Sequence, residues 1–163
     1  MPGAKILLIG EPDQFAVSSL QTQNQNNLYE FLMTTFESKI TIHRPVSEVY
    51  GFLADLNNHK QLMPENIYNW DSTRDTARFT IQNMAKLAVK IAGRIENAAV
   101  VIVPAEEAPF DLEMKWELSS VAGATDVVYT VSADLNMMMK MLASGPLQKL
   151  VDHQTQSLGS FLS

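Results

Sequence analysis

The sequence predicts an α+β domain over residues 33–163: a curved antiparallel sheet wrapped around a long C-terminal helix, with two short helices after the first strand. Three observations predict it. Period-two alternation of apolar and polar residues recurs in segment after segment between Phe36 and Leu135. Turn residues separate those segments at hairpin distances, which excludes the long crossovers of a parallel sheet. An apolar stripe at helical spacing then closes the chain.

Phe36, Ser38, Ile40 and Ile42 alternate with Glu37, Lys39, Thr41 and His43, the pattern of a half-buried strand. Pro45 suits the first turn of a helix, and Val46, Val49, Tyr50, Leu53 and Leu56 follow at helical spacing. Asp55 reads as a residue that helps end that helix. Asn57 and Asn58 break it, and His59 to Met63 adds one turn before Pro64. Short strands are expected at Ile67–Trp70, around Ala77, Phe79 and Ile81, and around Leu87, Val89 and Ile91. Gly93 inside strand-like sequence predicts a bulge or bend. Ala98 to Val103 is uniformly apolar, as in a strand at a sheet centre or one covered on both faces.

Asp111 to Leu118 alternates at every position, with Leu112, Met114, Trp116 and Leu118 on the core side. Val127, Tyr129, Val131, Ala133 and Leu135 share one face of the last strand. The closing helix is expected from about Asn136 to Phe161. Its stripe is Leu147, Leu150, Val151, Gln154, Leu158, Phe161 and Leu162, extended upstream by Met138, Met141 and Leu142. Gly145-Pro146 is expected to kink or divide this helix, because an interior proline costs ~3 kcal/mol unless the helix bends.

Residues 1–32 read differently. A polar tract from Gln21 to Asn27 separates two apolar islands that lack a sustained period. They are expected to form an extension outside the core, with Met33 an alternative start. The chain has a net charge of −6 and scattered basic residues, which argues against a nucleic-acid partner. It has no cysteine, so disulfides and thiolate metal sites are excluded. No apolar run reaches the ~18–20 residues of a membrane span, and the cytoplasm is the expected location.

Two blocks of residues carry a family resemblance. The first is Phe36-Glu37-Ser38-Lys39-Ile40, followed by Pro45, Val49-Tyr50, Leu53 and Asp55-Leu56. The second is Lys115-Trp116-Glu117-Leu118, Ala133-Asp134-Leu135-Asn136-Met137-Met138 and Gly145-Pro146-Leu147-Gln148. From Met33 onward the chain resembles the START-like, or SRPBCC, superfamily of polyketide cyclases and lipid carriers. The second block is similar to small SRPBCC proteins of the Bacteroidetes type, with Met137 and Gly145 where Pro and Lys are usual. The resemblance implies a helix-grip fold with a cavity between the sheet and the last helix. It implies no particular chemistry, since the superfamily hosts enzymes, carriers and co-chaperone domains.

The candidate cavity residues are Trp70, Phe79, Leu112, Met114, Trp116, Leu118, Tyr129, Val131, Met138, Met141, Leu142 and Leu150. Methionine is flexible and polarizable, so a Met cluster suits a cavity for varied apolar ligands as well as it suits irregular core packing. His43, His59 and His153 lack metal-ligand spacing and read as solvated, and no metal or cofactor is expected. No nucleophile elbow occurs, and no catalytic residue is assigned. The leading expectation is a non-enzymatic binder of a lipid or aromatic metabolite. The alternatives are a cyclase or dehydratase, and an Aha-type protein-interaction domain.

Overall fold

The computed structural model describes residues 33–163, of which Thr35–Ser163 form one compact unit. The expectation for residues 1–32 lies outside the described residues. Seven strands make a single antiparallel sheet: β1 (Thr34–Ile42), β2 (Ile67–Ser72), β3 (Thr76–Ile81), β4 (Ala85–Ile95), β5 (Ala99–Pro104), β6 (Leu112–Val121) and β7 (Ala124–Ala133). Their order is β1-β7-β6-β5-β4-β3-β2, so every neighbour after the first pair is a sequential hairpin. The uniformly apolar strand, β5, occupies the sheet centre. Two short helices, α1 (Val46–Leu53) and α2 (Leu56–His59), lie between β1 and β2, and a single turn of 3₁₀ helix extends α2 to Leu62. The helix α3 (Met137–Phe161) closes the chain. The sheet curls around α3, and this is the helix-grip architecture.

Local chemistry accounts for the joints. Asp55 does not close α1. It caps the N-terminus of α2, accepting the Asn57 N–H at 2.9 Å, which satisfies one of the donors a helix start leaves free. The bulge falls where the glycine predicted it, between Ile91 and Gly93 of β4. Just past it, Arg94 donates two hydrogen bonds to the Ala54 carbonyl at 2.9 and 2.7 Å and one to Asp75 at 2.7 Å. A guanidinium is therefore held at the C-terminus of α1, where a cation is favoured.

α3 is pinned along β1 by polar contacts in its second half. Gln148 donates to the Glu37 carbonyl at 3.1 Å, the Ser38 and Thr155 hydroxyls meet at 2.7 Å, and Arg44 donates to the Leu162 carbonyl at 3.1 Å. Its N-terminus is capped by Asn136, which accepts the Met139 N–H. Of the two outcomes expected at Gly145-Pro146, the division is absent, and α3 runs as one helix through Pro146. Pro146 is exposed, so the missing backbone bond falls on the wet side of the helix, where water can replace it.

Three further expectations are corrected. His59 is 2% exposed rather than solvated. Phe161 is not in the core stripe; it is 54% exposed and packs at a tilt against Phe52, with ring centroids 5.1 Å apart. Met138, Met141 and Leu142 are 71%, 82% and 73% exposed. The core face of α3 is carried upstream by Met139 and Ala143 instead. Six of the first seven residues are apolar and only Lys140 marks a polar side, so periodicity alone could not say which of the remaining directions faces the sheet.

Candidate functional site

A cavity lies between the concave face of the sheet and α3. β3, β4, β6 and β7 supply Phe79, Ile81, Leu87, Leu112, Met114, Tyr129 and Val131. α3 supplies Leu147, Leu150, Val151 and Gln154, and the connecting segments and the start of β2 add Met63, Ile67 and Phe110. About 40 Å³ is open to the centre of a water molecule, and the unfilled space reaches about 510 Å³ when counted out to the mouth. Ligand cavities span roughly 300–1,000 Å³, so a ligand here is small or displaces the flexible side chains of Met63, Met114 and Leu150.

Six of the twelve expected residues line this space: Phe79, Leu112, Met114, Tyr129, Val131 and Leu150. The other six lie elsewhere. Trp70 is half-buried, stacks on Phe79 at 5.2 Å and faces an outer concavity beside Lys60 and Glu65. Leu118 is core near the far end of β6, paired with Val127. Trp116 is wholly buried, further along the face of β6 that carries Leu112 and Met114 and outside the lining. Met138, Met141 and Leu142 stand on the outer face of α3. Sequence reasoning missed Met63 and Phe110, which sit in segments with no period, and it passed over Gln154. The signal for Gln154 was present, since an amide in an otherwise apolar stripe is out of place.

Polar chemistry in the site is confined to one cluster. Tyr129 and Gln154 are the polar side chains of the lining, 1% and 3% exposed. Burial pushes the Tyr129 hydroxyl well above the ordinary phenol range, with the Gln154 hydrogen bond opposing that shift in part, so the hydroxyl keeps its proton. Gln154 also donates to the Met63 sulfur at 3.6 Å. Tyr129 pairs with Trp116 across β6 and β7, and their rings stack at 3.7 Å. Behind Trp116, the His59 ring meets it edge-on at 6.1 Å. His59 Nε2 donates to the Leu53 carbonyl at 2.8 Å, which fixes the tautomer. Burial lowers its pKa to about 4, against smaller opposing effects of that hydrogen bond and of Asp55. The Trp116 N–H is buried without a partner.

A curled antiparallel sheet closed by a single long helix recurs in known structures. A protein from Thermus thermophilus superposes with a TM-score of 0.64 over 78% of this chain and 95% of its own, at 17% identity. One half of the di-domain ARO/CYC StfQ from the steffimycin biosynthetic pathway superposes at 0.65 over 85% of this chain and 53% of its own, at 8% identity. The chain has the START-like helix-grip fold. The Aha1 dimer from Colwellia psychrerythraea shares it, with a TM-score of 0.57 over 79% of this chain and 96% of its own, at 20% identity. No protein-family model and no curated protein matches the sequence.

Among the described residues, no group of three or more His, Asp or Glu is gathered that could hold a metal ion. Nor is any helix among them long and apolar enough to cross a membrane.

Proposed function

We propose that the protein binds a small apolar molecule in the cavity between the sheet and α3. The observation that carries this reading is the lining: fourteen residues enclose unfilled space, and all but Tyr129 and Gln154 are apolar. A void of this size costs on the order of 1 kcal/mol, which an apolar guest filling it would offset. The cyclase alternative has less support, because Tyr129 is the one titratable group in the lining and burial keeps it protonated; general acid–base work needs groups poised near the working pH. A second reading, docking of another protein, has one observation in its favour. Met137, Met138, Met141 and Leu142 form an exposed apolar ridge on the outer face of α3, the kind of patch that marks an interaction surface.

Native mass spectrometry of freshly purified protein tests the binding role. A low-mass adduct that leaves on gentle activation is expected on the wild type, and Val131→Phe, which fills the cavity from β7, is expected to lack it. The reading fails if the wild type carries no adduct and a panel of small apolar compounds produces no thermal shift. Saturation at a hundredfold excess over Kd would raise stability by about 2.7 kcal/mol, a shift large enough to see.

A further inference from the structure

We infer that the ligand is an uncharged apolar molecule with a single oxygen function, such as a ketone, alcohol or ester, and that Tyr129 and Gln154 receive that oxygen. This rests on the proposed binding role and specifies its chemistry. Apart from Tyr129 and Gln154, the residues of the lining offer no side-chain nitrogen or oxygen. Inside the cavity, away from its mouth, the polar end of a guest therefore has one place to go.

The pair has hydrogen-bonding capacity to spare. A tyrosine hydroxyl donates once and accepts as well, and a glutamine amide has two donors and a carbonyl. One amide donor of Gln154 is directed at the Met63 thioether at 3.6 Å, and sulfur is a weak acceptor. A carbonyl or hydroxyl oxygen of a ligand is a stronger partner for that donor and for the Tyr129 O–H. Leaving such buried groups poorly satisfied is costly, so the site favours a guest that satisfies them over a pure hydrocarbon.

The same lining rejects a carboxylate. None of its fourteen residues is charged, and the buried imidazole behind Trp116 stays neutral near pH 7. An ionised acid would enter without a counter-ion, at a desolvation cost of several kcal/mol. Fatty acids are thereby disfavoured relative to ketones, alcohols and esters of the same chain length.

The test titrates the protein at pH 7.5 with hexane, 1-hexanol, 2-hexanone and hexanoate by calorimetry, with tryptophan fluorescence as a second readout, since Trp116 stacks on Tyr129 and Trp70 on Phe79. Hexanol and hexanone are expected to bind, with hexane and hexanoate each weaker by roughly tenfold or more, a difference of about 1.4 kcal/mol. Tyr129→Phe and Gln154→Leu are expected to bring hexanone down to the level of hexane. Hexanoate or hexane binding as tightly as hexanone overturns the inference and leaves the binding role standing. Silence with all four compounds overturns the binding role itself. Should either variant fold poorly, the four-compound comparison on the wild type still decides.

Discussion

At the scale of single residues, the unexpected feature is the buried His59. A histidine followed by lysine in a polar turn carries every sign of solvation, and nothing local shows that Leu53 and Trp116 will close over it. Its consequence is a pH dependence. Because the folded-state pKa, about 4, lies below the ordinary 6.5, the unfolded chain takes up the proton first. Stability is therefore unaffected above about pH 6.5 and falls as the pH drops toward 4, by roughly 3 kcal/mol in all. Carboxylates also titrate at the acid end, so the effect is read as a difference. Urea melts of wild type and His59→Gln are expected to converge as the pH falls from 7 to 4.5, with the wild type losing more. Parallel loss in both proteins would show that His59 does not carry the effect. Tyr129 and Trp116, by contrast, were readable as inward residues from strict alternation. What alternation could not distinguish is a ring lining a cavity from a ring packed outside it.

At the scale of elements, strands were more legible than the closing helix. In β6 and β7 each residue has one of two faces, so a period-two pattern fixes which side is buried. In α3 the first two turns are apolar everywhere but at Lys140, and the sheet takes Met139 and Ala143 while Met138, Met141 and Leu142 stay outside. This placement has a direct mutational reading. Met141→Lys is expected to change stability by no more than about 0.5 kcal/mol, as for most surface changes. Leu147→Ala, on the buried face further along the helix, is expected to cost about 2–5 kcal/mol. Chemical denaturation of the two variants settles the helix face, and the opposite ranking would mean that α3 is rotated about its axis. The interior proline does not divide the helix for a related reason, because its effect depends on whether the orphaned carbonyl faces protein or water.

At the scale of the whole molecule, the fold was legible because each level agreed: hairpin spacing, one central apolar strand, and one long amphipathic helix. The cavity was half legible. The residues contributed by regular strands and by the pinned part of α3 follow from periodicity, whereas Met63, Ile67 and Phe110 reach the cavity only because of how the chain folds over its rim. The volume left between them is a property of packing that no single strand or helix encodes. The binding role requires a guest to enter that volume rather than settle on the exposed ridge. The most direct measurement is methyl NMR of methionine-labelled protein titrated with 2-hexanone. Shifts are expected at the Met63 and Met114 methyls, which line the cavity, with Met137, Met138 and Met141 unmoved. Shifts confined to those three ridge methionines, or none at all, would contradict the binding role.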